Sequence, residues 1–231
     1  MKQRWLISLT TSCAAAALLF AAGGAGAADE FEYLLGVSGS TTTTTLLGAG
    51  CGLAPLPEGS CIAAQAGQGR VKLANKADPR KDKIIFRFKS ATSLTDGAHF
   101  GDPVGGSTLS TLCMYDDSAA AQPILSADTL PGGDCQGKPC WRQTASAGFK
   151  FKDRDSNADG VATIQLKSGP PGENNIKIKG QKENLNPPNL PLTLPVTMQL
   201  LVDTGSDTVC FQVNYDQVNR NDGKQFKARA P

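Results

Sequence analysis

Histidine is almost missing from this 231-residue chain: His99, in the stretch DGAHFGDP, is the only one. That scarcity argues against a zinc centre, and a base able to work at neutral pH without a large pKa shift has to be His99. The HExxH, GxxxxGK[ST] and GxGxxG patterns are missing too, so nothing marks a metalloprotease, a phosphate-binding loop or a dinucleotide fold. There is no GxSxG; the nearest approach, GVSGS from Gly36, breaks at its last position. CQGKPC, from Cys135 to Cys140, lacks the CxxC spacing that lowers a thiol pKa at a helix start. No window shows apolar residues at the three-and-four spacing of a helix, so helices should be few.

Long apolar runs are confined to the first residues. MKQRWLISLTTSCAAAALLFAAGGAGAADE places Lys2 and Arg4 before an apolar stretch that ends in small residues, the order of a secretory signal peptide. Cleavage after Ala25-Gly26-Ala27 would make residues 1–27 the signal and Ala28 the new terminus. The alternative, a retained anchor, is disfavoured by Thr10, Thr11, Ser12 and the glycines. No later stretch is apolar for long enough to span a bilayer as a helix, so no membrane span is expected after cleavage. Net charge is the other absence. Losing Lys2 and Arg4, and no acid, takes the formal charge from +2 to zero, which leaves no overall electrostatic case for nucleic acid or an anionic membrane. The expected location is the periplasm or outside the cell.

Six cysteines remain after such processing: Cys51, Cys61, Cys113, Cys135, Cys140 and Cys210. An even count in an exported chain reads as disulfides. Proximity in sequence suggests Cys51 with Cys61 and Cys135 with Cys140, leaving Cys113 with Cys210.

Residues 28–67 read as a loosely structured leader, with the threonine-rich SGSTTTTTLLGAG followed by a turn-rich segment pinned by a small disulfide loop. From residue 68 to 231 the pattern is one of short alternating segments. KIIFRF sets Ile84, Phe86 and Phe88 against Ile85 and Arg87. GFKFK opposes Phe149 and Phe151 to Lys150 and Lys152, and NIKIK opposes Ile176 and Ile178 to Lys177 and Lys179. Residues 196–202 and 208–215 continue the series, and further strands are expected at 109–115, 123–130, 140–143, 161–167 and 225–228. LNPPNLPLTLP, with four prolines, reads as an extended crossover rather than a central strand. These features predict an all-β fold, an antiparallel β-sandwich of jelly-roll or immunoglobulin-like type.

KDKIIFRFKS, FGDP, LCMYDD, PGGDCQGKPCW, GFKFKD, DGVATIQLKSG and NLPLTLPVTMQL, in that order, resemble a group of uncharacterised exported bacterial proteins. The resemblance spans roughly residues 61–227 and implies a recurrent extracytoplasmic β-rich domain with no catalytic residues to carry over. Where that group tends to place tryptophans after KDK, this chain has Phe86 and Phe88.

Three motifs invite chemistry. LLVDTGSDTVC carries the Asp-Thr-Gly of an aspartic protease at Asp203, but that mechanism needs two carboxylates sharing a proton and the chain has one such motif. A hairpin turn accounts for every residue of it, Gly205 supplying positive φ. FKDRDSNADGV alternates Asp153, Asp155, Asn157 and Asp159 ahead of Gly160, like the first half of a calcium loop, yet with Asp155 as position one, position twelve is Leu166 and not glutamate. Calcium-dependent surface or carbohydrate binding through residues 153–159 is therefore an alternative, with no cofactor as the main expectation. A hydrolase using His99 in a loop cleft is a second alternative. Finally, if the strands bearing Lys150, Lys152, Lys177, Lys179, Arg87 and Lys89 are neighbours, they form a basic stripe suited to an acidic polysaccharide or another cell-surface component, or simply a soluble outer sheet face. The leading expectation is a non-catalytic exported structural or binding domain.

Overall fold

A computed structural model describes residues 50–118 and 122–231. The expected signal peptide, the threonine run and the first part of the expected leader lie outside the described residues. The strands are, in chain order, β1 Ile62–Ala63, β2 Arg70–Ala74, β3 Lys83–Phe88, β4 Leu109–Asp116, β5 Leu125–Thr129, β6 Trp141–Gln143 and β7 Gly148–Lys152. They continue with β8 Val161–Lys167, β9 Asn175–Gln181, β10 Val196–Asp203, β11 Thr208–Tyr215, β12 Val218–Asp222 and β13 Gln225–Arg229. Helical structure among the described residues is limited to two single 3₁₀ turns and a π-turn at Asp96–Phe100.

The strands divide into a five-stranded sheet, ordered β1-β11-β10-β4-β5, and an eight-stranded sheet, ordered β12-β13-β2-β3-β9-β8-β7-β6. Pairing is antiparallel apart from the parallel contact of β1 with β11. The two sheets pack face to face, as the all-β sandwich expectation holds. Alternation decides which face is inside. Ile84, Phe86 and Phe88 of β3, Ile176 and Ile178 of β9, and Phe149 and Phe151 of β7 point inward and are buried. From the other sheet Met114, Met198, Leu200, Phe211 and Tyr215 meet them. Phe88 packs its edge on Phe211 with ring centroids 5.6 Å apart, an arrangement that adds to simple area burial. Within this interior the Tyr215 hydroxyl has no hydrogen-bond partner, and burial pushes its pKa far above the ordinary tyrosine value.

The disulfide pairing expected from sequence proximity is corrected. Cys51 joins Cys113 and Cys61 joins Cys210; Cys135–Cys140 forms as expected. The reason is geometric. Cys113 lies on β4 and Cys210 on β11, with β10 between them, and both side chains point out of the small sheet. The segment from Cys51 to Cys61 crosses those three strands as a strap and is tied at each end. Leu56 sits beneath it with Tyr115 and Leu201. Gln199, fully buried, accepts from the Leu56 amide at 3.1 Å and donates to the Leu56 carbonyl at 2.9 Å and to Gln212 at 2.7 Å. The part of the leader from Gly50 on is thus attached to the domain, and Ile62–Ala63 adds an edge strand to it.

Residues 182–195 carry no strand, consistent with a proline-rich crossover. At the other end of the chain β13 returns to pair with β2, and the Gly67 amide donates to the Pro231 carbonyl at 2.8 Å.

Candidate functional site

Asp203 ends β10 opposite Thr208, and its carboxylate accepts from the Gly205 amide at 2.8 Å. Gly205 has φ +86°, so DTGSD is the hairpin tip that its turn chemistry predicts. Among the described residues no aspartate is hydrogen-bonded to Asp203; Asp207 of the same turn lines a small depression with it.

The four residues of the calcium alternative, Asp153, Asp155, Asn157 and Asp159, line one depression of about 490 Å³ beside the Cys135–Cys140 disulfide, and each of their three carboxylates already accepts a hydrogen bond. Asp153 is buried, and its two oxygens accept from the amides of Asp155, at 2.9 Å, and Asn157, at 2.6 Å. Asp159 accepts from the Asp128 amide, and Asp155 accepts from Gln136. The acids knit the loop to itself and its neighbours. Among the described residues no group of three or more His, Cys, Asp or Glu side chains is placed to hold a metal ion.

His99 lies at the end of the π-turn. Its Nδ1 accepts from the Thr95 amide at 3.0 Å, with the Thr95 hydroxyl at 3.1 Å. The imidazole therefore closes its own turn. The neighbouring acid, Asp96, is engaged elsewhere, accepting from the Gly148 amide and the Ser168 hydroxyl. No carboxylate forms an ion pair or hydrogen bond with His99 among the described residues, so nothing there orients it as a base.

The lysine stripe is another matter. β3, β9, β8 and β7 are consecutive neighbours, so Arg87, Lys177, Lys179, Lys150 and Lys152 do share the outer face of the large sheet. Lys89 lies just beyond β3 and donates to the Gly172 carbonyl. The face extends past the residues singled out in sequence. β2 adds Arg70 and Lys72, β13 adds Lys227 and Arg229, and β6 adds Arg142. The seven strands from β13 to β6 carry two Lys or Arg apiece on β2, β3, β7, β9 and β13, one apiece on β6 and β8, and no Asp or Glu.

Register sharpens this. Arg229 stands opposite Arg70, Arg70 opposite Arg87, and Arg87 opposite Lys177. Lys227 faces Lys72, Arg220 faces Lys227, and Arg142 faces Lys150. Directly opposed like charges destabilise a sheet, by up to about 1 kcal/mol each. Lys177 shows the crowding: partial burial, then Lys179 and Arg87, hold its pKa below the usual lysine value. Among the described residues the ion pairs are Arg80 and Lys81 with Asp78, and Arg220 with Asp222 at the β12 edge. The acids lie in the loops, at strand ends and on the other sheet. A chain of nearly balanced charge has sorted it by face.

Two depressions open at the ends of this face. One, of about 380 Å³, is lined by Arg70, Lys72, Arg87, Lys227 and Arg229. The other, of about 680 Å³ at the β6 edge, is lined by Lys138, Arg142, Lys152 and Arg154, beside the Cys135–Cys140 disulfide. Neither is lined by a carboxylate.

Comparison with protein-family models, with curated proteins and with solved structures finds no match.

Proposed function

We propose that the protein is a non-catalytic binding module, exported to the periplasm or beyond the cell, that holds a polyanion on the outer face of its large sheet. Three disulfides fit an oxidising compartment of that kind. No helix among the described residues is long and apolar enough to cross a membrane.

The observation that carries the proposal is the series of directly opposed cations on β12, β13, β2, β3 and β9, and again on β7 and β6. Solubility alone is met by charges of mixed sign, and blocking of edge pairing needs charge only on edge strands. Here the repulsion is built into central strands. An anionic polymer laid on the face relieves it by replacing each cation–cation contact with attraction and releasing bound counterions.

The test is titration calorimetry of the oxidised protein with poly-L-glutamate and with neutral dextran over a salt series. Binding of the anionic polymer alone, with log K falling linearly against log salt, is expected. Absence of binding at low salt, or an affinity indifferent to salt, would refute the proposal.

A further inference from the structure

The geometry points to a linear acidic polysaccharide bearing one carboxylate on each ring as the polymer that lies across the strands of this face, from β13 to β6. This rests on the binding function proposed above and narrows it to one class of ligand.

The spacing of the cations is the first support. Neighbouring strands lie about 4.8 Å apart, close to the length of one pyranose ring in an extended chain. Arg229, Arg70, Arg87 and Lys177 occupy four consecutive strands in register. The row continues through Gln165 of β8 to Lys150 of β7 and Arg142 of β6. Seven strands therefore offer a track roughly 29 Å long, with a cation at six of seven steps. A chain with one carboxylate per ring matches that step; a chain charged on alternate rings leaves every second cation unpaired.

The second support is a parallel track two residues along each strand. Lys227, Lys72, Lys179 and Lys152 lie on it, with Ile85 and Thr163 between. Two residues of a strand advance about 6.6 Å, so a carboxylate resting between the tracks has cations on both sides. Of the neutral members, Gln165 and Thr163 are hydrogen-bonding groups suited to ring hydroxyls, and Ile85 offers an apolar surface to a ring face. The third support is what the face does not carry. No aromatic residue occupies an outward position on strands β13 to β6; the aromatics of these strands, Phe86, Phe88, Trp141, Phe149, Phe151 and Phe226, are all buried. Proteins that hold single-stranded nucleic acid stack its bases on aromatic rings, and this face has none to offer. The depressions lined by cations at either end provide for the last rings of a bound segment.

The experiment uses size-graded oligogalacturonates, hyaluronan oligomers of equal ring number, dextran sulfate and oligo-dT, each titrated into the oxidised full chain at physiological salt. Affinity for oligogalacturonate should rise with length and level off near about seven rings, the span of the track. Hyaluronan oligomers should bind at least tenfold more weakly. Arg87→Glu with Lys177→Glu should lower the oligogalacturonate affinity at least tenfold, while Lys76→Glu, away from the track, should not. Lys150→Glu with Lys152→Glu tests the other end, should the central pair fail to fold. Tighter binding of oligo-dT or dextran sulfate than of oligogalacturonate, or affinity that keeps rising without a plateau, overturns the ligand class and leaves polyanion binding standing. No binding of any of these polymers, or unchanged affinity in both folded charge-reversal variants, overturns both.

Discussion

Removal of the Cys61–Cys210 disulfide is the most informative single perturbation of stability. It closes a loop of 149 residues, against 62 for Cys51–Cys113 and 5 for Cys135–Cys140. On the chain-entropy relation these are worth about 5, about 4 and about 2 kcal/mol at 25 °C. A domain stable by 5–15 kcal/mol in general terms would lose a third or more of its margin with the first bond. The same bond ties the strap at the end where β1 joins β11 through only two residues, Ile62 and Ala63. The double variants Cys61→Ala/Cys210→Ala, Cys51→Ala/Cys113→Ala and Cys135→Ala/Cys140→Ala, purified oxidised, should therefore unfold in urea in that order. With an m-value of roughly 2–3 kcal/mol/M the first should lose about 2 M in midpoint. Peptide mapping without reduction should join the Cys61 peptide to that of Cys210. If the Cys61/Cys210 variant is no less stable than the Cys135/Cys140 variant, or if Cys51 is found joined to Cys61, the strap as described is wrong.

Tyr215→Phe removes a buried hydroxyl with no partner and should raise stability by about 1 kcal/mol, read as an increase in Tm of about 2–4 °C. Because burial raises the Tyr215 pKa above its value of 10.0 in the unfolded chain, its protonated form is favoured by folding. That stability is fully present below pH 10 and is lost as pH rises above it; the alkaline decline of the urea midpoint should flatten in Tyr215→Phe. Gln199→Leu strands the Leu56 amide and carbonyl and should cost about 1–3 kcal/mol, with faster hydrogen exchange at the Leu56 amide. Gly160 has φ +79°, and a Cβ there would meet the Leu185 backbone nitrogen at 2.4 Å; Gly160→Ala should lower the urea midpoint by about 1 M or more. For the binding face, partial burial and the neighbouring Lys179 and Arg87 hold the Lys177 pKa below the usual lysine value, so its charge is lost at a lower pH than that of an ordinary lysine. Oligogalacturonate affinity should begin to fall there, and Lys177→Arg should carry the fall to higher pH.

What the sequence revealed was whatever repeats with a period of two against a dry interior. β3, β7, β9, β10 and β11 are legible because each alternates apolar and polar residues over five to eight positions. β2 offers two large side chains, Val71 and Leu73, and the small Ala74 to the core, and β12, VNRND, buries none of its residues, so neither announces itself. The two longer disulfides were misjudged because proximity along the chain says nothing about a segment that crosses three strands. The basic face was half visible. Lysines of β7 and β9 stand out against their phenylalanines and isoleucines, but Lys227 and Arg229 join Arg70 and Lys72 only because β13 returns to β2. No local pattern encodes that pairing.

The return of β13 also makes the domain nearly circular. The Gly67 amide donates to the Pro231 carbonyl and the Ala230 amide to the Gly69 carbonyl, extending the pairing of β13 with β2 beyond the strand ends. While the chain is being delivered from its N-terminus, β2 can pair with β3 on one side only, and its other edge stays open until β13 arrives. The large sheet is thus a late-closing structure of high contact order. A permuted chain with new termini at the exposed turn between Asp203 and Thr208 should keep the same eight-stranded sheet, provided its linker runs from Pro231 to Gly50, so that the strap and the Cys51–Cys113 and Cys61–Cys210 disulfides are retained.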